Sequence, residues 1–262
     1  MTLFNVSGVK GILRDTYLKV MGRGAAPSLR THFLNGHYVL PTCDSDEKQQ
    51  EIFYRLLTTL SKNNRLVNPD EALSNLHQTT EALICLTFDD GYRDVYTVIA
   101  PVLARLKIKA IFFINPSFLG MEKGATRYVL QKNYKTTIDK TFMTREMVAA
   151  LHQQGHVIGS HSTSHQRLNI EDEDVLLNEI VNSKIEIEKI TQDKCIHFAY
   201  PFGGNNDLSN EALDLAMQNY SYIYSSIKRD GLWSFNGRVI NRRHFEGNWP
   251  VSHIRYFLSN RN

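Results

Sequence analysis

The length, composition and charge of the chain are those of a folded protein. It has 262 residues, of which 42% are hydrophobic and 10% aromatic. At about 150 residues per domain, this length allows one large domain or two small ones, and the composition excludes an intrinsically disordered chain. The 30 Lys and Arg against 27 Asp and Glu leave a net charge of +3, which is too small to indicate nucleic acid as the main partner.

The sequence carries no apolar stretch of about 18 residues, so no transmembrane segment is predicted. Charged residues interrupt positions 1–30, which therefore do not resemble a signal peptide. The three cysteines, Cys43, Cys85 and Cys195, are far apart, which argues against a disulfide framework or a cysteine metal site. We therefore expect a cytoplasmic protein in a reducing compartment; the sequence leaves its oligomeric state open.

Two regions are predicted along the chain. Residues 1–80 form an N-terminal extension that packs on the main domain, and residues 81–262 form that domain, in which short apolar segments alternate with helical ones. The polar segment 120–141 is predicted to be a long loop or an insertion at the strand-end face, and such a loop is more often functional or mobile than part of the core. The predicted strands are 82–88, 109–114, 156–160, 196–200, 222–227 and 238–241, and the predicted helices are 51–62, 95–106, 144–151, 171–190, 210–218 and 251–258.

This alternation indicates a parallel sheet with right-handed crossovers. With about six such units, a closed barrel is favoured over a small open sheet. The predicted fold is therefore an α/β protein with a barrel or a barrel-like closure. Functional groups of such barrels follow the carboxyl ends of the strands.

Polar residues follow four of the predicted strands. Two histidines and one carboxylate are a common ligand set for a catalytic divalent metal, which lowers the pKa of a bound water. A second carboxylate nearby then serves as general base. Asp89 and Asp90 can divide these two roles, because adjacent side chains point in different directions. The residues at the strand ends are Asp89 and Asp90, His161 and His165, 201–204, and Arg242, Arg243 and His244.

Each of these signals alone is weak. Asp-Asp-Gly is most often a turn, and the spacing His-x3-His occurs twice. His152 and His156 flank a predicted helix end, which favours packing for that pair. His161 and His165 lie among small residues suited to a tight loop after a strand, which favours metal binding.

Three segments together resemble the motifs of one family. They are Thr87-Phe88-Asp89-Asp90-Gly91, Ser160-His161-Ser162-Thr163-Ser164-His165 and, in a variant form, Phe198-Ala199-Tyr200-Pro201-Phe202-Gly203. Their order and spacing resemble those of the polysaccharide deacetylases (NodB-homology domain, carbohydrate esterase family 4), over roughly residues 81–224. The resemblance implies an α/β fold with a distorted (β/α) barrel of about seven strands, of the glycoside hydrolase/deacetylase type. It also implies an enzyme that hydrolyses an N-acyl group with the help of a metal.

The resemblance also implies a role for each matching residue. Asp89 would be the general base, and Asp90, His161 and His165 would bind a divalent metal, typically zinc. The backbone N–H of Phe202 would stabilise the oxyanion, a type of interaction that dominates many acyl transfers. The third motif would also contribute to substrate binding through Tyr200, Pro201 and Gly203.

The chain departs from the family pattern at two points. Many members have an arginine two residues before the proline of the third motif, where this chain has Ala199, so Arg242 or Arg243 is the candidate for orienting the base. The family's Leu-x-His motif, whose histidine protonates the leaving amine, is not evident. His244 is the best substitute, and His253 is the weaker candidate.

Other residues have weaker assignments. The aromatic residues near the last strand either stack on a sugar ring or pack in the interior, and Trp249 is the predicted substrate contact among them. Cys195 is expected to be inert. Four further histidines are not accompanied by other candidate functional residues and are treated as structural or surface residues. These aromatic residues are Trp233, Phe235, Phe245 and Trp249, and the histidines are His32, His37, His77 and His197.

The main functional hypothesis is a zinc-dependent hydrolase that removes an N-acetyl group from an amino sugar of a polysaccharide or glycan precursor. The same motifs allow a deformylase or deacylase of a lipid- or nucleotide-linked sugar, or of another small amide. A catalytically silent carbohydrate-binding protein is the third reading, which the presence of both aspartates and both histidines disfavours.

Overall fold

Seven parallel strands close into a barrel in the computed structural model, which describes residues 6–41, 45–227 and 231–259. Two very short strands add to its wall, one parallel to its neighbour and one antiparallel. The strands are Thr31–Gly36 (β1), Arg65–Leu66 (β2), Leu83–Phe88 (β3), Ile111–Ile114 (β4), Val157–Ser160 (β5), His197–Ala199 (β6), Tyr222–Ser225 (β7), Trp233–Ser234 (β8) and Val239–His244 (β9).

The barrel closes through β1. The order of the seven strands is β1-β3-β4-β5-β6-β7-β9, and β9 pairs again with β1. Phe33 of β1 lies opposite Cys85 on one side and Arg242 on the other. The predicted barrel is therefore confirmed. Residues 31–36, however, are part of its wall and do not pack on it as the sequence predicts, because their backbone pairs with both neighbours. A domain boundary at residue 80 stays a prediction.

The helices lie mainly between successive strands. Thr144 caps one of them, since its Oγ1 accepts a hydrogen bond from the Met147 N–H at 3.3 Å. π-Helical turns at Val95–Ile99 and Leu177–Asn182 lead into two of the α-helices. The α-helices are Val6–Met21 (α1), Asp46–Ser61 (α2), Pro69–Ser74 (α3), Ala100–Leu106 (α4), Lys123–Lys132 (α5), Arg145–Gln153 (α6), Glu173–Leu176 (α7), Ser183–Thr191 (α8), Asn210–Asn219 (α9) and Val251–Leu258 (α10).

The segment 120–141 is not one long loop. It contains α5, whose buried face consists of Thr126 and Leu130, four residues apart. So narrow an apolar face in a lysine-rich sequence gives little helical periodicity, which is why the helix is not evident from the sequence. The remainder of the segment, 133–141, is irregular and reaches the carboxyl ends of the strands.

The side chains of each strand alternate between two apolar layers. One layer lies between the barrel and the helices and includes Leu34, Leu86 and Phe112. The other fills the barrel and includes Phe33, Cys85, Phe113, Tyr224 and Ile240. A residue that directly follows a strand and continues the alternation of its inward-facing side chains therefore reaches the open end of the barrel.

Two further expectations concern the cysteines and membrane association. Cys43 lies outside the described residues, while Cys85 and Cys195 are buried and unbridged. Burial raises the pKa of Cys195 to about 12, which agrees with its predicted inertness. Among the described residues, no helix has both the length and the apolar character needed to cross a membrane.

Candidate active site

Asp89 and Arg242 form a buried ion pair at the carboxyl ends of β3 and β9. The Nη1 and Nη2 of Arg242 donate to Oδ1 and Oδ2 of Asp89 at 2.7 and 2.8 Å. Arg242 also donates to the Ser225 carbonyl oxygen at 3.0 Å and to Thr87 Oγ1 at 3.1 Å. Burial raises the pKa of Asp89, but the charge and hydrogen bonds of Arg242 outweigh it and hold the pKa well below its ordinary value. Asp89 is therefore ionised and held in one orientation.

Asp90, His161 and His165 converge beside this pair. Oδ1 of Asp90 lies 3.5 Å from Nε2 of each histidine, and one ligand atom from each residue lies within 4.8 Å of the other two. All three residues are buried, and Oδ1 of Asp90 accepts no hydrogen bond within the described part of the chain. A buried, unpaired carboxylate oxygen facing two imidazole nitrogens fits a divalent metal ion.

The surroundings of the two histidines suit them as ligands. Nδ1 of His161 donates to the Ala199 carbonyl oxygen at 2.6 Å, which leaves Nε2 free to bind a metal. Burial lowers the pKa of His165 to about 4, so that its imidazole is neutral at neutral pH. Its ring is stacked on Tyr134 with centroids 4.0 Å apart. Both rings are thus held in place before any ligand binds.

The loop that carries the histidines has a specific supporting network. Asn115, after β4, donates to the carbonyl oxygens of His161 and Ser162. The buried carboxylate of Glu179 accepts from the Ser164 N–H at 2.9 Å and from its hydroxyl at 2.6 Å. His165 has a φ of 55°, a left-handed conformation that a non-glycine residue adopts only where its surroundings enforce it.

The third motif forms a tight turn after β6. Phe202 and Gly203 have φ values of 63° and 69°, and a Cβ on Gly203 would lie 2.5 Å from the Ser226 nitrogen. The hydroxyl of Tyr200 donates to the carbonyl oxygens of Gly203 and Gly204 at 3.1 and 3.2 Å. Glycine is therefore required at 203 by both its φ and its surroundings. Pro201 is buried at the start of the same turn.

These groups open into a cavity of about 450 Å³ at the mouth of the barrel. The size is within the range of small-molecule sites, about 300–1,000 Å³. The cavity brings together most of the residues singled out in the sequence, and four tyrosines and one phenylalanine form part of its wall. The lining residues are Asn35, His37, Tyr38, Asp89, Asp90, Tyr92, Tyr134, Thr136, Ile138, His161, His165, Tyr200, Phe202, Ser226, His244 and Glu246.

His244 and Arg243 lie on opposite faces of β9. His244 lines the cavity, and its Nε2 is 3.9 Å from Oε1 of Glu246. Arg243 faces the other way, into a small depression that it shares with His32 and Leu258. Of these two arginines, Arg242 is therefore the one that contacts Asp89, and Arg243 is not part of the cavity lining.

The predicted aromatic contacts lie behind or away from the cavity. Trp249 packs edge-on against His244 with ring centroids 5.7 Å apart and does not line the cavity itself. Trp233 is stacked on His77, and Phe235 and Phe245 pack with the core between the barrel and the helices. His253 is buried in α10 on the far side of Trp249. Packing therefore accounts for Trp233, Phe235 and Phe245.

The second His-x3-His pair has the structural role expected of it. Nδ1 of buried His156 accepts a hydrogen bond from the Ala110 N–H at 3.2 Å. His152 lies near the surface with its Nε2 3.6 Å from Oδ2 of Asp193. Neither residue approaches the cavity.

His37 is the main residue that the sequence analysis misses. Instead of being structural or exposed, it lines the cavity, with its Nε2 3.9 Å from Oδ2 of Asp90 and its ring 5.5 Å from that of His244. It follows Phe33 and Asn35 in the inward series of β1. The alternation of inward and outward side chains along β1 places His37 on the inward side. This alternation predicts a position in the cavity only once residues 31–36 are known to form a barrel strand.

Comparison with known proteins gives the class to which this fold and site belong. The sequence model described as polysaccharide deacetylase matches residues 77–220, which is more than half of the chain. The chain belongs to the polysaccharide deacetylase family, whose members are hydrolases acting on carbon–nitrogen bonds other than peptide bonds.

Individual relatives are more distant. YxkH of Bacillus subtilis (strain 168) is 26% identical over 151 residues, or 56% of this chain and 48% of that protein. The peptidoglycan-N-acetylmuramic acid deacetylase PdaA of the same organism is 26% identical over 117 residues, or 44% and 36%. The chain thus spans less than half the length of either. The solved structure of IcaB from Ammonifex degensii shares the fold with a TM-score of 0.66 at 19% identity, covering 89% of this chain and 99% of that one.

Proposed function

We propose that the protein is a metal-dependent hydrolase that removes an N-acetyl group from an amino sugar of a polysaccharide or of a glycan precursor. The observation that carries the proposal is the arrangement of an oriented carboxylate, Asp89, beside three potential metal ligands at one end of the barrel. Family membership supports amide hydrolysis, and the cavity supports a substrate the size of a sugar ring.

Asp90, His161 and His165 would hold the metal, and zinc suits a set of two histidines and one carboxylate with open positions. When bound, such a metal polarises the amide carbonyl and lowers the pKa of water. Asp90 Oδ1 faces both Nε2 atoms at 3.5 Å. Because Nδ1 of His161 is already engaged by Ala199, that histidine can offer only its Nε2.

Asp89 would accept the proton of the attacking water. A general base has to be ionised and correctly aimed, and the two hydrogen bonds from Arg242 provide both conditions. Arg242 thereby replaces the arginine that the family pattern places at the position of Ala199. The side chain of Ala199 is buried in the barrel interior.

Two further groups would complete the reaction. The backbone N–H of Phe202 would donate to the oxyanion as charge develops on the carbonyl oxygen, and the turn held by Tyr200 and Gly203 fixes that N–H. His244 would protonate the leaving amine, with Glu246 beside it to hold the imidazole. Tyr200, Pro201 and Gly203 would thus act on the substrate through Phe202.

The sugar ring would pack on the aromatic part of the cavity wall. Tyr38 and Tyr134 line the cavity and pack, together with Ile138, against one apolar cluster. Aromatic faces suit the apolar face of a sugar. Trp249 would support His244 and contact only a substrate that extends beyond the cavity. A cytoplasmic location stays a prediction.

Acetate release from N-acetylated amino-sugar oligosaccharides tests the proposal. We expect turnover by the metal-loaded protein, loss of turnover after chelation and recovery on addition of zinc. Asp89→Asn and His161→Gln should both be inactive, while His152→Gln, from the second histidine pair, should retain full activity. Metal-independent turnover, or full activity of Asp89→Asn, would overturn the proposal. Release of formate in place of acetate would change the acyl group while keeping the mechanism.

A further inference from the structure

The outer face of α1 carries an apolar stripe with an unusual degree of exposure. Leu13, Tyr17 and Val20 are 65%, 52% and 64% exposed. Their spacing of four and three residues puts them on one face of the helix. Single exposed apolar residues need no explanation, but a continuous stripe indicates a surface that contacts something else.

The opposite face of α1 is already covered by α10. Leu18 is buried there, and a Cβ on Gly22 would overlap the Ser252 carbonyl oxygen at 1.9 Å. At the margin, the rings of Tyr17 and Tyr256 meet edge to face with centroids 5.7 Å apart. The helix is therefore fixed on the protein by one face, and the apolar stripe points away from it.

Charged residues flank the stripe. At 100° per residue, Lys19 falls on one side of it and Arg14 on the other, Arg23 follows in the turn after the helix, and all three residues are exposed. Arg14 also pairs with Asp15 at 3.0 Å. An apolar stripe with basic residues along its edges is the pattern of a helix that lies in the interface of an anionic membrane.

We propose that α1 docks on the surface of a lipid bilayer that contains anionic phospholipid, with Leu13, Tyr17 and Val20 inserted among the lipids. A second copy of the chain fits this face less well. A two-fold contact would bring Lys19 and Arg23 of both copies to one interface, where like charges oppose association. An anionic surface complements the same residues.

The position of α1 gives the docking a consequence for the site. Arg14 and Lys19 line a depression that also contains Trp249 and Glu246, and Glu246 lines the catalytic cavity as well. The docked helix would therefore hold the mouth of the cavity close to glycans at the membrane surface. This consequence rests on the proposed function, whereas the docking does not.

Sedimentation of the full chain with vesicles tests the docking without any measurement of activity. We expect binding to vesicles of phosphatidylglycerol and phosphatidylcholine, little binding to phosphatidylcholine alone, and weaker binding at high salt. The double variant Leu13→Ser/Val20→Ser should bind at least about tenfold more weakly, because it removes most of the inserted apolar surface. Lys19→Gln/Arg23→Gln should reduce binding only to the anionic vesicles.

The control is Ile185→Ser/Met217→Ser, which removes two exposed apolar side chains from α8 and α9 and should bind like the unmodified protein. Equal thermal midpoints would show that all variants are folded. Absence of the unmodified protein from the vesicle pellet, or equal binding by the Leu13/Val20 variant, would overturn the proposal. So would a dimer, seen by light scattering, that the Leu13/Val20 variant converts to a monomer without any vesicle binding.

Discussion

Arg242 and Asp89 are joined by two parallel hydrogen bonds across the mouth of the barrel, although they are separated by 153 positions in the sequence. The pair is almost completely buried. Arg242 has further acceptors in Ser225 and Thr87, so its guanidinium is held independently of Asp89. This arrangement fixes the carboxylate that the proposed reaction uses as its base, and it leads to the first prediction.

Arg242→Lys should lower kcat by about 10²-fold, because a lysine keeps the charge but not the two-point geometry. Arg242→Met should in addition destabilise the protein by about 3–5 kcal/mol, because it leaves Asp89 charged, buried and unpaired. Steady-state kinetics and denaturant unfolding measure the two effects. Arg243→Met is the matched control on the other face of β9 and should leave kcat unchanged. Equal kinetic effects at 242 and 243 would contradict the assignment.

Substitutions of the two adjacent aspartates should have different effects on zinc binding and on kcat. Asp89→Asn should retain zinc binding but lose about 10²–10⁴-fold in kcat, since it removes a general base. Asp90→Asn should lose more than about tenfold in zinc affinity, because it removes a direct ligand. Isothermal titration with zinc and rate measurements at saturating zinc distinguish the two. If both variants lost zinc equally, the proposed division between base and ligand would be wrong.

His244→Gln should lower kcat by about 10²-fold if His244 protonates the leaving amine. KM should change little, because the cavity keeps its shape. His253→Gln, in α10 behind Trp249, is the matched control and should change kcat less than about twofold. A large effect of His37→Gln together with a small effect of His244→Gln would assign the acid to His37 instead.

Three buried histidines outside the cavity predict acid sensitivity of the fold. Burial lowers the pKa values of His32, His156 and His197 to about 4. Between pH 6.5 and 4 the unfolded chain therefore binds protons that the folded protein does not, and stability is lost as the pH falls through this window. Each group contributes up to about 1.4 kcal/mol per pH unit to this loss of stability.

The free energy of unfolding, measured from pH 7.5 to 5, should decrease less steeply in His156→Gln than in the unmodified protein. Identical slopes would contradict this origin.

The sequence predicts the barrel and the strand-end positions of the two aspartates and the two histidines, because both depend on local patterns. Buried strands appear as short apolar runs, and Asp89, Asp90, His161 and His165 each follow such a run directly. Their proximity follows from strand order in a parallel barrel.

The choice between Arg242 and Arg243 depends on the phase of β9. Ile240 lies in the barrel interior, so residues 242 and 244 share its face and residue 243 does not. The predicted strand 238–241 ended before these positions. Because Val239 and Ile240 are both apolar and both buried, the sequence alone does not give this phase.

His37 could not be identified in this way. The strand that precedes it, Thr-His-Phe-Leu-Asn-Gly, has polar residues at half of its positions and no regular apolar pattern. Its strand conformation comes from backbone pairing with β3 and β9, which are distant in sequence. The exposure of the apolar stripe of α1 could not be predicted from the sequence either, because it depends on how the helix packs on α10.

The most direct test of the proposed function is a crystal structure of the zinc-loaded protein with diffraction data on both sides of the zinc absorption edge. We expect one anomalous peak at bonding distance from Asp90, His161 and His165, and no such peak at His152 and His156. Absence of a peak at the first site under saturating zinc, or a peak bound by other residues, would contradict the central claim.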